Sequence, residues 1–214
     1  MLGGNFMRNR KFSILVISAI LLLSACSGQP TENSPSATGS PEFTTGSSQA
    51  GSSRQTTSPS SFVTGTPDGP ARNVPFPQIS DQASKFSEDG AEAFTLHYFD
   101  LINYVIDTSD TEAIKKLTEN DCTVCYKQII NEADKAKKDH KWQVGGKHHP
   151  KVVDSYISGK NIAIVTVEYT SDVGTVYSAP HKVHEKIALQ TDARIAFDLS
   201  FDRGWTVHQI KSAS

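Results

Sequence analysis

Hydrophobic residues in the second half of the chain first recur at the spacing of a helix and later alternate as in a strand. Between Ala91 and Val105 the apolar side chains fall every three or four residues, which predicts a helix with one apolar face. The segment from Ser109 to Glu112 has the spacing of a capping box and predicts a short second helix. Asp121 is the predicted N-cap of a third helix, whose apolar positions include two cysteines.

The period changes to two after the lysine-rich run at residues 135–138. Strands are predicted at residues 142–144, 151–157, 162–170, 183–189, 193–201 and from residue 205 onward, with a turn at residues 202–204. Helices followed by antiparallel strands predict an α+β domain, with three N-terminal helices packed on a sheet of four to five strands.

The first 25 residues have the three parts of an export signal. A basic stretch with Arg8, Arg10 and Lys11 precedes an apolar run at residues 12–23, and two small residues follow it before Cys26. The alternative is an uncleaved transmembrane anchor, but a membrane span takes about 20 apolar residues. The run of 12 residues therefore favours a signal peptide over residues 1–25.

The end of this signal, Leu23-Ser24-Ala25-Cys26, resembles the lipobox of bacterial lipoproteins. The resemblance implies that a diacylglycerol is attached to the Cys26 thiol and that cleavage makes Cys26 the new N-terminus. Stable anchoring takes two or more acyl chains. We therefore expect a protein held on the extracytoplasmic face of the cell membrane, with membrane lipid as its partner through acylation of Cys26.

Composition divides the rest of the chain into a linker and a domain. Residues 27–70 contain 31 Ser, Thr, Gly or Pro among 44 residues, which predicts a disordered linker over residues 26–72, with the lipidated cysteine at its start. Residues 73–214 are the predicted folded domain, with 16 Lys and Arg against 20 Asp and Glu, or a net charge of about −4. No basic stripe is present in this domain, so nucleic acid is not an expected partner.

Two resemblances extend this picture. The order of elements, with Gly204-Trp205-Thr206-Val207 near the end, resembles the nuclear-transport-factor-2-like (NTF2-like) fold, in which a curved antiparallel sheet forms a cone around the first helix. Residues 73–212 resemble an uncharacterised actinobacterial lipoprotein family, known as domain of unknown function 6318. The residues that carry this second resemblance are Gly90-Ala-Glu-Ala-Phe94, Tyr98, Asn103-Tyr104, residues 108–111 and Cys122-Thr-Val-Cys125. It implies a lipid-anchored exported protein and no particular activity.

The Cys122-Thr-Val-Cys125 motif holds the two cysteines of the predicted domain. On the oxidising side of a membrane, a structural disulfide is the leading interpretation. Side chains three apart on a helix have Cβ atoms roughly 5–6 Å apart, whereas a disulfide needs about 3.5–4.5 Å, so the helix must tighten there. One alternative is a thiol redox site, because a cysteine at a helix N-terminus has a lowered pKa. Another is a zinc site that adds histidines from His148, His149, His181 and His184.

Other chemistry has little support in the sequence. No nucleotide-binding loop, nucleophile elbow or metal-binding helix motif is present. An Asp–His pair inside the cone could be drawn from His97, Asp100, Asp198 and His208, but their spacing selects none of them. We therefore expect a non-catalytic domain, without cofactor or metal, that binds an envelope protein or a small apolar ligand. The alternative is an isomerase or hydrolase that uses the cavity of the cone.

Overall fold

The structure of the protein is a computed structural model that describes residues 61–213. The predicted signal peptide, Cys26 and most of the predicted linker lie outside these residues. The helical elements are a 3-10 turn at Asp81–Ser84, α1 at Glu88–Thr108, α2 at Glu112–Lys116, α3 at Thr123–Cys125, a π-helical turn at Tyr126–Ile130 and α4 at Asn131–Lys138. Among residues 61–213, no helix combines the length and the apolar character that a membrane crossing requires.

Helix α1 begins at a sharp turn that its sequence dictates. The Ser87 side chain accepts a hydrogen bond from the backbone nitrogen of Gly90 at 3.0 Å and so caps the helix. A Cβ atom at Gly90 would overlap the carbonyl oxygen of Lys85, which also accepts a bond from the Trp205 indole at 2.9 Å. Glycine is therefore the residue that lets the incoming chain cross the first turn of the helix.

The described residues form seven strands in two antiparallel sheets. The strands are β1 at Trp142–Gly145, β2 at His148–Ile157, β3 at Ile162–Ser171, β4 at Gly174–Ala179, β5 at Lys182–Ile187, β6 at Gln190–Phe201 and β7 at Trp205–Ser212. One sheet has the order β1-β4-β5 and the other has the order β2-β3-β6-β7.

The predicted fold class is therefore wrong. The described part of the chain is mostly β-sheet with few helices, and it does not consist of three N-terminal helices on one curved sheet of four to five strands. Only α1 is a long helix, since α2 has five residues and the predicted third helix is divided between α3, the π-helical turn and α4. Strand β4 was not predicted, because Pro180 in the turn that follows it obscured the hairpin with β5.

The two sheets meet at a bend that runs across the strands. In one sheet, where β1 pairs with β4, Trp142 lies opposite Tyr177 and Gly145 lies opposite Gly174. In the other sheet, where β2 pairs with β3, His148 lies opposite Ser171. The pairing therefore continues from β1 and β4 into β2 and β3 without a shift in register. Gly145 and Gly146 adopt positive φ angles of 74° and 79° where the chain turns. Such angles suit glycine, which has no Cβ to clash. The bend thus lies between β1 and β2 and between their partner strands.

Helix α1 is attached to this bend by one asparagine. Asn103 donates to the backbone oxygen of His148 at 2.9 Å and accepts from its backbone nitrogen at 2.8 Å. The ammonium of Lys147 donates to the backbone carbonyl oxygen of Asn103 at 2.6 Å and to the Asp107 carboxylate at 2.5 Å. The Asn103 side-chain amide therefore forms with the His148 backbone the two hydrogen bonds that a neighbouring strand would otherwise form.

The packed structure begins before the predicted boundary at residue 73. Val63 pairs with Arg72 and Thr66 with Gly69, which gives a small hairpin. The Trp142 indole donates to the Thr66 carbonyl oxygen at 2.8 Å. The backbone nitrogen of His181 donates to the Pro67 carbonyl oxygen at 2.9 Å. These bonds join the hairpin to β1 and to the turn before β5.

The hydrophobic core lies between α1 and the four-stranded sheet. Its largest fully buried side chains are Tyr98, Phe94, Phe99, Phe197, Leu101, Ile114, Ile130 and Leu199. The aromatic rings of Tyr98 and Phe99 lie 5.8 Å and 5.6 Å from that of Phe197, a distance at which edge and tilted contacts are favourable. The apolar face predicted for α1 is thus the face that covers the sheet.

Candidate functional site

A small cavity lies in the core between α1, the π-helical turn and the four-stranded sheet. Its volume is about 30 Å³, enough to hold a water molecule but far below the several hundred Å³ of a usual ligand pocket. Most of its lining is apolar, with Gln128 and His148 as the polar exceptions. This cavity is therefore much smaller than a usual small-molecule site.

The ring of His148 is held in this cavity by aromatic neighbours. It lies 5.2 Å from the ring of Tyr169 and 6.3 Å from that of Phe99. Burial lowers the pKa of His148 to about 4 and raises the pKa of Tyr169 to about 12. Both side chains are therefore neutral near pH 7.

A much larger opening lies on the surface beside α1 and α2, and we call it the α1–α2 groove. Its volume is about 380 Å³, within the range of pockets that hold small ligands or parts of a partner. Its lining consists of Phe76, Ile79, His97, Leu101, Asp110, Glu112, Ala113, Lys116 and Leu117. Phe76 and Ile79 are each 49% exposed, so two large apolar side chains of the groove are half in solvent.

His97 is the buried polar group of this groove. The residue is only 7% exposed, and its Nδ1 atom has no hydrogen-bond partner. Burial lowers the pKa of His97, against an opposing effect of the nearby Asp100 carboxylate. Nearly all buried polar atoms in proteins are hydrogen-bonded, so this nitrogen is an exception, and because the atom is itself buried it is not exposed to the groove.

A second polar cluster surrounds Glu119. Its carboxylate accepts hydrogen bonds from His208 Nδ1 at 2.7 Å, from the Thr206 hydroxyl at 3.0 Å and from the Ser200 hydroxyl. Backbone bonds place it there, because the Glu119 nitrogen donates to the Val207 oxygen at 2.9 Å. The hydrogen bond from Ser200 lowers the pKa of Glu119, and the hydrogen bond to Glu119 raises the pKa of His208.

This cluster is a hydrogen-bonded network that holds the loop between α2 and α3. Oxygen and nitrogen atoms of Glu119, Asp121 and His208 lie within 4.8 Å of one another, a spacing compatible with a cation. However, Glu119 already accepts three bonds, and the side chains of Asp121 and His208 are 63% and 36% exposed. Sequence reasoning missed Glu119, because its partners lie more than 80 residues away.

Among the described residues, the side chains nominated for an Asp–His pair form no hydrogen-bonded pair with one another, although the Asp100 carboxylate lies near His97 and Asp198 lies near His208. Asp198 contacts Lys211 at 3.2 Å, and His208 bonds to Glu119, so the suggested Asp–His pair is not formed by these two. His149 pairs with Asp172 at 3.0 Å, and His181 pairs with Asp68 at 2.8 Å. These histidines therefore contact carboxylates on the surface and do not converge on a metal site with the cysteines.

In the structure, Cys122 and Cys125 are joined in a disulfide, with Cα atoms 5.3 Å apart. Both residues are fully buried, and the backbone nitrogen of Cys125 donates to the Cys122 sulfur at 3.4 Å. The chain continues directly into the π-helical turn. Because the two sulfurs are bonded to each other inside the core, they are neither thiolate ligands for zinc nor open to exchange with another thiol.

The chain belongs to the family of unknown function DUF6318, whose model matches residues 60–211. The match confirms the resemblance to this family, but it does not confirm the NTF2-like fold or that the chain is an actinobacterial lipoprotein, and the lipid anchor stays a prediction. Among solved structures, the chain is similar to the intermembrane space region of the chloroplast protein ARC6, at 7% identity and a TM-score of 0.44. The match covers 61% of this chain and 98% of that chain, and at this TM-score it supports no argument. A comparison with curated proteins gives no match.

We expect the Cys122→Ala/Cys125→Ala variant to lose about 2 kcal/mol of unfolding free energy, because the crosslink constrains the unfolded chain. The melting temperature should fall by several degrees, at roughly 2–8 °C per kcal/mol. Thermal melts beside wild type and the exposed control Thr123→Ala test this. A reduction potential below about −300 mV is expected for a buried structural bond. An unchanged melt together with a potential near that of thiol exchangers would contradict the structural role.

We expect Glu119→Gln to bring the raised pKa of His208 back toward the ordinary histidine value of about 6.5. In wild type, the stability that this pair contributes requires a protonated His208 and an ionised Glu119. It is therefore lost as pH rises through the raised folded pKa of His208, and lost again in acid as pH falls through the lowered folded pKa of Glu119. In the variant, this part of the pH dependence should disappear. An NMR titration of the His208 ring tests it, with Asp121→Asn as a control of smaller effect. An unchanged pKa of His208 in Glu119→Gln would show that the hydrogen bond to Glu119 does not raise it.

Proposed function

We propose that this chain is an exported protein anchored by lipid to the cell membrane, and that its folded domain binds a partner without catalysing a reaction. The N-terminal sequence supports the anchor, since a short apolar run ends in the lipobox-like Leu23-Ser24-Ala25-Cys26. Acyl chains on Cys26 would insert in the bilayer, and the chain that follows would hold the domain above it.

The α1–α2 groove carries the binding part of this proposal. It combines an open volume of about 380 Å³ with half-exposed Phe76 and Ile79 and with three polar lining residues, Asp110, Glu112 and Lys116. A concave, mainly apolar surface with a few polar groups is the usual form of a binding site. Binding of a partner in the groove would remove apolar surface of both molecules from water.

The interior gives less support to catalysis. An enzyme of the isomerase or hydrolase type needs a cavity with room for its substrate beside acid and base groups. The core cavity of about 30 Å³ is too small for this, and its histidine has a pKa of about 4. Thiol redox catalysis is disfavoured by the full burial of Cys122 and Cys125.

We expect Cys26→Ala to abolish both lipid attachment and cleavage before residue 26, because the thiol is the group that carries the lipid. The variant should leave the membrane fraction or stay there only with an uncut signal sequence. Cell fractionation and mass spectrometry of the N-terminus test this, and Ser27→Ala is the matched control that should still be lipidated. A wild-type N-terminus that is unmodified and uncut in the native host would contradict the anchor.

We expect a photoreactive amino acid at position 79 to give a discrete crosslinked adduct in intact cells, because Ile79 lies in the groove. The matched control carries the same amino acid at Leu189, which is 57% exposed and does not line the groove. Adducts are detected by immunoblotting and identified by mass spectrometry. No adduct at position 79, or the same adducts at both positions, would contradict binding at this groove.

A further inference from the structure

We propose that an acid-released latch holds α1 to the bend between the two sheets, and that it consists of the two hydrogen bonds between the Asn103 side chain and the His148 backbone. In acid, the His148 ring takes up a proton from solvent and leaves the core, and α1 separates from the bend. We call the domain closed when the latch is formed and open when it is released. This device is independent of the proposed binding function, since neither residue lines the α1–α2 groove.

The latch and the ring belong to one residue at the bend. His148 is the first residue of β2 and follows Gly146 by two positions. Its backbone is held by Asn103, and its ring lies 6.3 Å from that of Phe99, which is one helical turn before Asn103 on α1. Residues one turn apart lie on the same face of a helix. The ring therefore cannot pass Phe99 to reach solvent unless α1 moves, and that movement pulls on the latch.

The interior offers little stabilisation to a positive charge on this ring. The Nδ1 atom of His148 is buried, and among the described residues it has no hydrogen-bond partner. The cavity beside it is lined by apolar and aromatic side chains and by Gln128, without a carboxylate from the described part of the chain. Tyr169, whose ring lies 5.2 Å away, is neutral, since burial raises its pKa to about 12. A protonated imidazole is thus poorly solvated in the closed domain and well solvated in the open one.

Charged groups around the bend do not offset the effect of burial. Burial is the largest influence on the pKa of His148 and lowers it to about 4. His149 and Lys147 also lower this pKa, while Asp172, between β3 and β4, raises it. Asp172 is already paired with His149 at 3.0 Å, and Asp107 of α1 is paired with Lys147. The imidazole is therefore neutral in the closed domain until the solution is strongly acidic.

Acid favours the open form over a defined pH range. In the open form the imidazole has its ordinary pKa of about 6.5, whereas in the closed form the pKa is about 4. Above pH 6.5 the ring is neutral in both forms, and the latch has its full strength. As pH falls from about 6.5 to 4, the ratio of open to closed domain rises by roughly tenfold per pH unit, or about 300-fold in total. Below that range both forms are protonated, and the ratio no longer changes.

The test is hydrogen exchange on the full chain in phosphatidylcholine nanodiscs, read by mass spectrometry at single-residue resolution. The reporter is the His148 backbone N–H, which donates to Asn103 in the latch. Its protection factor corrects for the pH dependence of the exchange chemistry itself. We expect this factor to fall by up to about 300-fold between about pH 7 and pH 4. It should also lie below the protection factors in the middle of β3, because a local opening costs less than global unfolding.

Matched variants assign the effect to the ring and to the latch. His148→Phe keeps an aromatic side chain that cannot titrate, so the pH dependence at residue 148 should disappear. His184→Phe, at an exposed histidine of β5, should keep it. Asn103→Ala removes both hydrogen bonds of the latch, so protection of this amide should fall by about tenfold or more already at pH 7. Circular-dichroism melts show whether each variant is folded, and His148→Leu replaces His148→Phe if that variant does not fold.

Three outcomes would overturn the latch. One is a protection factor at residue 148 that does not change with pH in wild type, a result that needs no variant. Another is equal protection at residue 148 and in the middle of β3 at every pH, which would mean that the domain opens only as a whole. The third is loss of the pH dependence in His97→Phe but not in His148→Phe, because His97 is also a buried imidazole whose pKa burial lowers.

Discussion

The attachment of Asn103 to the backbone of His148 is the contact on which the arrangement of the domain depends. Its two hydrogen bonds, at 2.9 and 2.8 Å, join α1 to the point where the paired strands bend. Each pair of strands keeps its register through the bend, so the position of one sheet determines the position of the other. With α1 fixed there, its apolar face covers the four-stranded sheet and His148 lies in the core cavity.

The sequence allowed several elements to be predicted but not their arrangement. The apolar spacing after Gly90 identified α1, since helical periodicity is a local property. The bend at Gly145 and Gly146 was missed, because alternation along a strand does not show where the strand leaves one sheet and enters another. The cluster around Glu119 was missed for a similar reason, as its contacts with Ser200 and His208 join distant parts of the chain.

The α1–α2 groove illustrates why candidate sites are harder to predict than elements. His97 was one of four residues nominated for chemistry, but the expected partner was a carboxylate inside a cone. The structure places it beside a surface groove together with Phe76 and Ile79, from a segment that has no regular secondary structure. Neither the exposure of those two side chains nor the missing partner of His97 Nδ1 can be read from residue spacing.

The small hairpin at the start of the described chain decides where a mechanical load would enter the domain. A pull on the chain before residue 61 is transmitted first to the hairpin and then, through the Thr66 and Pro67 carbonyl oxygens, to Trp142 and His181. These bonds lie on the three-stranded sheet, whereas Phe76 and Ile79 follow later in the chain. Tension on the N-terminal segment would therefore act first on these bonds to β1 and to the turn before β5.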